Sequence, residues 1–540
     1  AAETLILPFD TERLSVLDDG SELYAFRPQV VWLFSTHRDV EISVPPGGTA
    51  DAVVEEVRRT VAARKQLWTH LLARLDTVVL QNNADLPAED PLGNLAGASP
   101  WGRRTALRLY NVELAAAAMP GVVLFDLDHV AGCWGKVRWT DPRYWFHSRH
   151  AFALDATGPL ACAAARLIAS ARGLAKKCLV VDLDNTLWGG VIGDDGLEGI
   201  RLGGDAAGEA HAAFQTFLKA LKDRGVILAA CSKNDPEAAA LPFRQHPDSV
   251  LRLDDFAAFV ANWRNKVENL REIARMLGIG LDSMVFVDDD PVERDIVRRH
   301  LPEVEVIDLP DDPAAFVMAL AQPGWFETVA LSAEDRERGR HYAENARRAE
   351  LREAAVDMDA YLASLGMTAS VGPTDALHLP RFVQLINKSN QFHLTGTRYA
   401  EAEVKGLAER PDWFLRFVRL RDRFGDNGLI ACVILRRVER ALHIDTWCMS
   451  CRVLGRRVEE FVANEMLALA RHLGCESLVG RYVRSPRNGL VAGLYERLGF
   501  TLAAEAATGS TWTLEVSDDH PGWRTSVRRD DGSEGQAGDG

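Results

Sequence analysis

The chain has 540 residues, 47% of them hydrophobic and 26% charged, with a formal net charge of -15. That length implies three or four domains, the composition is that of an ordinary soluble globular protein, and the acidic balance excludes general nucleic-acid binding. No apolar run approaches the roughly 20 residues that a membrane helix needs. The opening AAETLILPFD has neither the basic stretch nor the apolar core of a signal peptide. The eight cysteines follow no disulfide framework, Cys448 and Cys451 coming nearest as CMSC. That usage suits free thiols in a reducing cytoplasm.

Residues 1–175 alternate apolar segments with Ala-rich ones: QVVWLF, a helix over 52–75, TVVLQNN, a helix over 103–118, and GVVLFDLD. The alternation predicts a parallel α/β sheet, with 90–102 as a Pro- and Gly-rich loop. The region resembles an SGNH-hydrolase-like domain. Asp126 and His129 form a DxxH, which that resemblance would make an acid and a base. No GDS nucleophile elbow precedes them, so a structural or docking domain is expected.

The run Cys178 to Val181 reads as a buried parallel strand, and it ends in Asp182-Leu183-Asp184-Asn185-Thr186. Two carboxylates two residues apart at a strand's carboxyl end, where open α/β sheets keep their chemistry, can reach one small volume. A helix over 207–224 follows, then VILAACSKND, with Ser232 at the next strand end. NWRNKVENLREIARMLGI supplies Lys266, and SMVFVDDDPVER ends a further strand at Asp288 and Asp289. DxDxT between apolar residues resembles the nucleophile motif of the haloacid dehalogenase-like (HAD) superfamily, and LWGGVIGDDGLEGI is similar to its FkbH-like branch. The resemblance implies Asp182 as nucleophile, Asp184 as general acid and base, Ser232 and Lys266 as phosphate-binding groups, and Asp182, Asp184, Asp288 and Asp289 as Mg²⁺ ligands. The two gaps, Asp182 to Ser232 and Ser232 to Lys266, are too short for a folded cap, so an open cleft is expected.

A charged helix, SAEDRERGRHYAENARRAELREA, leads into the last region, and 381–500 carries roughly 20 Lys and Arg against 13 Asp and Glu. A balance of that sign can receive an acidic partner. LPRFVQLINKSNQFHLT, with Asn387, Lys388, Asn390 and Gln391, matches the FkbH-like signature. Two strands are expected to flank 422–435. RVLGRR before a helix resembles the phosphate-cradling turn of GNAT-type acyltransferases, and YERLGF places Tyr495 as a general acid. Arg457 stands where that family has Gly or Ala. The resemblance therefore implies a carrier-linked pantetheine arm rather than coenzyme A, held through Arg452, Gly455, Arg456, Arg457 and Tyr495. Cys451 at a helix N-terminus and Cys231 beside Ser232 are alternative acyl-carrying thiols; neither is required. From Asp518 onward the chain reads as disordered.

The expected architecture is an α/β multidomain protein: an SGNH-like leader (1–175), a capless HAD domain with a parallel sheet (176–325), a GNAT-like α+β domain with a helical linker (326–517), and a tail (518–540). The FkbH-like resemblance implies transfer of a glyceryl group from 1,3-bisphosphoglycerate to the phosphopantetheine thiol of an acyl carrier protein. Mg²⁺-dependent dephosphorylation accompanies it, in polyketide extender-unit or tetronate biosynthesis. Two rival readings are a capless phosphatase acting on a phosphoprotein and a non-enzymatic scaffold.

Overall fold

The computed structural model describes residues 3–8, 10–43, 45–329, 331, 340, 342, 344, 345, 347, 348, 351, 352, 355–389, 391–450, 453–485, 488–506 and 508–530. The chain divides into two compact units, Ala1–Gly339 and Arg340–Gly540. No helix among the described residues is long and apolar enough to cross a membrane.

The first unit holds two parallel sheets. In the smaller, β1 (Val30–Leu33), β2 (Val78–Asn82) and β3 (Val122–Phe125) lie in chain order. The helices Ala50–Arg74 and Arg103–Ala116 make the crossovers. The first of these starts where the Thr49 hydroxyl accepts from the Ala52 N–H, and it buries Val53, Val57, Val61, Trp68 and Leu71 along one side. The larger sheet comprises β4 (Cys178–Val181), β5 (Ile227–Ser232), β6 (Ala258–Ala261), β7 (Met284–Asp288) and β8 (Glu305–Asp308), in the order β6-β5-β4-β7-β8. β4 pairs on both edges and every residue in it is buried, which is why its sequence is an unbroken apolar run.

The second unit is built on one eight-stranded sheet. Its strands are β9 (Thr368–Pro373), β10 (Trp413–Asp422), β11 (Gly425–Val438), β12 (Ala441–Met449), β13 (Ser477–Val483), β14 (Thr501–Ala506), β15 (Gly509–Glu515) and β16 (Arg528–Arg529). They run in the order β14-β15-β13-β12-β11-β10-β9-β16. Pairing is antiparallel except at β12–β13 and β16–β9. The helix Val458–His472 makes the crossover that the parallel β12–β13 pair requires. With the two sheets of the first unit, this gives the α/β multidomain class that the sequence predicts.

Three expectations change. Residues 422–435 are not a stretch between strands: a tight turn at Asp422–Gly425 leads straight into β11. Residues 518–530 are ordered, anchored by Trp523, whose indole N–H donates to the Leu498 carbonyl at 3.1 Å, and by the pairing of β16 with β9. One buried-edge Trp and a two-residue strand are too sparse to stand out in so polar a composition. Residues 531–540, and most of the charged segment 332–354, lie outside the described residues.

β12 and β13 pair only from Ala441↔Ser477 to Ile444↔Gly480. Beyond that point Phe392–Leu394 bridges them: Met449 N–H donates to Phe392 O, Leu394 N–H to Trp447 O, and Val483 N–H to Leu394 O. At the β10–β11 turn a buried charge network closes the sheet. Asp422, with no side-chain exposure, accepts from Arg348 (2.9 and 2.7 Å), Arg456 (3.0 Å) and Asn427 (3.2 Å). Burial works to raise the Asp422 carboxyl, but Arg348 and Arg456 more than offset it and hold it below its usual range. Its contribution to stability is therefore present above the unfolded value of about 4 and is lost as pH falls through the lower folded value. Asp422→Asn removes the carboxylate that two buried guanidinium groups share, leaving Arg348 with Glu344 at 3.5 Å. It should cost about 3–5 kcal/mol of stability and remove part of the acid dependence, both read by denaturant unfolding across pH.

Candidate active site

Chain order in the larger parallel sheet turns back at β4, with β5 and β6 laid to one side and β7 and β8 to the other. The carboxyl ends of β4 and β7 thus open onto the crevice where such sheets bind ligands. Asp182 follows β4 directly, its N–H donating to Val287 O at 2.9 Å. The register Val181↔Ala230 and Val181↔Val287 sets it level with Cys231 and Asp288.

Lys266 reaches the same point from a helix. Asn265 caps Lys266–Leu277 by accepting from the Glu268 N–H, and Val267, Leu270, Ile273, Ala274 and Leu277 bury one side of that helix. Lys266 lies on that buried side at the first turn, so its ammonium is carried into the crevice. There it donates to Asp182 Oδ1 and to Cys231 O (2.7 Å) and lies 3.2 Å from Asp288 Oδ2. Burial alone would lower its pKa, but Asp182 and Asp288 outweigh burial and keep it charged.

Asp182, Asp288 and Asp289 each present an oxygen within 4.8 Å of the others. Burial raises all three carboxyls, those of Asp288 and Asp289 to about 6. When all three ionise, one ammonium leaves two negative charges uncompensated where Asp182 and Asp288 are buried and Asp289 is half-buried. The buried Asp288 Oδ2 accepts no hydrogen bond among the described residues. A hard divalent cation, which takes oxygen ligands and retains waters, fits both the charge deficit and that unsatisfied oxygen.

Asp184 stands apart from this cluster. Its Oδ1 accepts from Trp188 Nε1 (2.9 Å) and the Ile192 N–H (3.0 Å), and its Oδ2 from Asn234 Nδ2 (2.8 Å). Burial nevertheless raises its pKa. Three donors fix the carboxyl in one orientation, which suits moving a proton; the expectation of Asp184 side-chain oxygens as metal ligands is corrected accordingly. Ser232 ends β5 as expected, buried at 2%. Cys231 is fully buried and its thiol is pushed up to about 12. A protonated, enclosed thiol cannot carry an acyl group, so that expectation falls.

Two positioning residues were missed. Asn234, two residues past Ser232, orients Asp184. Arg294 donates to the carbonyls of Asp288 and Asp289, both at 2.7 Å, and so sets the course of the chain between them. Each follows a strand end within six residues, the signal that would have found them.

The other expected residues are not brought into this crevice. The Asp126 carboxylate caps its own helix through the His129 N–H (3.1 Å) and accepts from Asn83 (2.8 Å), while the His129 ring lies against Cys133. The imidazole–carboxylate pair at that sheet edge is instead His37–Asp85, 3.0 Å apart and buried. In the second unit Cys451 and Arg452 lie outside the described residues. Gly455 takes φ +76°. Arg456 is buried in the Asp422 network and cannot meet a phosphate. Arg457 opens its helix at φ 53°, a conformation that favours glycine, and pairs with Asp359 at 2.8 Å. The Tyr495 ring fills the space left by Gly480, and its fully buried hydroxyl has a raised pKa, so Tyr495 packs rather than donates protons.

No family model matches the chain, and no curated protein does. Among solved structures it is similar to the N-terminal part of the protein BF1531 from Bacteroides fragilis, containing a phosphatase domain complexed with Mg. The two are 34% identical, with a TM-score of 0.54, over 60% of this chain and 86% of that one. Lower similarity extends to ribosomal-protein-S18-alanine N-acetyltransferase from Escherichia coli (12% identity, TM-score 0.23, 28% of this chain and 95% of that one). Spermidine N-acetyltransferase from Vibrio cholerae is at the same level (13% identity, TM-score 0.23, 28% and 96%).

Lys266→Met should lower stability in metal-free buffer by about 3–5 kcal/mol, because it removes the counter-charge of buried carboxylates. Adding Asp182→Asn should recover part of that loss. A double-mutant cycle by urea unfolding reads the coupling, and strictly additive effects would show that the ammonium does not hold the cluster together.

Proposed function

Since the chain belongs to the family of HAD-type phosphatase domains that includes the N-terminal part of BF1531, we propose that it removes a phosphate from a glyceryl group which it loads from 1,3-bisphosphoglycerate onto an acyl carrier protein. The observation that carries the phosphoryl half is the buried meeting of Asp182, Lys266, Asp288 and Asp289, with Asp184 held separately beside it. The glyceryl half rests on the FkbH-like signature in the sequence.

Asp182, Asp288 and Asp289 would hold Mg²⁺. When bound, the ion supplies positive charge that offsets the repulsion between a phosphate dianion and a carboxylate nucleophile. Lys266 engages Oδ1 of Asp182, so attack on phosphorus comes from Oδ2. The phosphorus–oxygen bond to the glyceryl carbon breaks as the aspartyl phosphate forms, and Asp184 gives its proton to the departing oxygen. The raised pKa of Asp184 suits that first role as an acid. Asp184 then takes a proton from water, which attacks the aspartyl phosphate and releases inorganic phosphate. Lys266 and the Ser232 hydroxyl contribute the stabilising charge and hydrogen bond around the transferring group.

Acyl transfer asks less of the protein. The carrier's thiolate attacks the carbonyl of the acyl phosphate and phosphate leaves. With Cys231 enclosed, the acyl group passes either directly to the carrier thiol or by way of Cys451, the other candidate thiol. Residues 183–231 and 233–265 form a flap, the helices Ile192–Gly199, Ala206–Asp223 and Pro236–Gln245, most of β5 and β6 rather than an inserted domain, which supports a macromolecular substrate.

Intact-protein mass spectrometry of a holo-carrier incubated with the protein, Mg²⁺ and 1,3-bisphosphoglycerate tests this reading. The expected product is a carrier bearing glyceryl without phosphate. A carrier left unmodified, with phosphate released from a phosphoprotein, would favour the simple phosphatase instead. Asp182→Asn should fold normally yet release phosphate at least about a thousandfold more slowly, as expected for loss of the nucleophile. Excess EDTA should abolish phosphate release, and raised Mg²⁺ should partly restore an Asp289→Ala variant; full activity in EDTA would remove the metal from the reaction.

A further inference from the structure

We propose that the second unit contains a ligand site of its own, a pocket for a small aliphatic monocarboxylate between the β9–β10–β11 face and the helix Val458–His472. A cavity of about 460 Å³ lies there, a size in the range of small-molecule sites. Val371, Val418, Val433 and Leu435 line it from the sheet, and Met466 and Leu469 from the helix. Such walls suit a hydrocarbon chain.

The group that selects the head is Arg416. β10 alternates, and Arg416 shares its face with Phe414, Val418 and Leu420, which belong to or pack on the core beneath the helix. A guanidinium therefore occupies a position patterned for an apolar side chain. Its hydrogen bond is to the adjacent Leu415 carbonyl (3.1 Å), and among the described residues no carboxylate lies within ion-pair distance. Burial lowers its pKa, with no acidic neighbour to raise it again. A half-buried charge without a counter-ion is costly, and a ligand carboxylate would supply the missing partner with paired, charge-assisted hydrogen bonds.

The remaining charged groups around the cavity set the valence. Glu465 pairs with Arg529 at 3.0 Å, and His472 completes the polar rim. Among the described residues Arg416 is thus the lining charge without an ion pair, and with Glu465 already matched by Arg529 the cavity is one negative charge short. A monoanion fits; a phosphate dianion fits less well, and a neutral alcohol leaves Arg416 unpaired. This site does not depend on the phosphoryl chemistry of the first unit.

Calorimetric titration of the full-length protein with octanoate, octyl phosphate and 1-octanol tests it. Octanoate should bind the wild type, and Arg416→Met should weaken that binding by at least about tenfold while leaving octanol affinity unchanged. The unliganded variant should melt at or above the wild-type temperature, because it removes an unpaired charge. Arg416→Gln gives the same readout should Met disturb the packing. No octanoate binding, equal binding by wild type and both variants, or tighter binding of octyl phosphate overturns the proposal. So does a variant that melts well below the wild type, since Arg416 would then serve the fold itself.

Discussion

One ammonium group decides the shape of the crevice. Lys266 enters from the first turn of its helix, touches Asp182, the Cys231 carbonyl and the neighbourhood of Asp288, and ties β4, β5 and β7 together at their carboxyl ends. Carboxylates this close would repel one another without it. With it they remain together, yet still short of neutral, and that residual negative charge makes the place a receptor for a cation rather than a sealed piece of core.

The second unit shows the opposite solution to the same problem. Around Asp422, two guanidinium groups and an amide satisfy one carboxylate completely. With Glu344 3.5 Å from Arg348, two carboxylates face two guanidinium groups, so charge there is balanced and nothing further is invited in. The comparison separates structural from functional buried ions on physical grounds: the Asp422 network is saturated, and the Asp182 cluster is not. It also explains why Arg456, although it sits in a sequence pattern suited to phosphate, is unavailable to one.

Much of the first site was legible because its residues end apolar runs. An unbroken hydrophobic strand followed by Asp182, Ser232 or Asp288 announces both the element and the exposed end of it, and Lys266 follows a capping Asn at a helix start. Asp184 was legible as a residue but not in its surroundings, since Trp188, Ile192 and Asn234 converge on it only in three dimensions. In the second unit the short-range pattern misled. RVLGRR reads as a run of available arginines, but the partner that buries Arg456 lies on β10, and the partner of Arg457 lies before β9. The filling of the β12–β13 gap by Phe392–Leu394 has no local signal, because it depends on where two strands part. The ordered tail escaped notice for a related reason: one Trp, one buried Val and a two-residue strand in a polar segment carry the contact.

The spacing of the ammonium and its carboxylate along the chain also sets an order of events in time. Asp182 and Lys266 are 84 residues apart, and chains emerge from synthesis N-terminus first. β4 and β5 are therefore complete while the counter-ion of Asp182 has yet to be made. Until the helix that begins at Lys266 docks, the carboxylate must stay in water, and the first two strands cannot seal around it. The crevice therefore cannot be complete before that helix has docked.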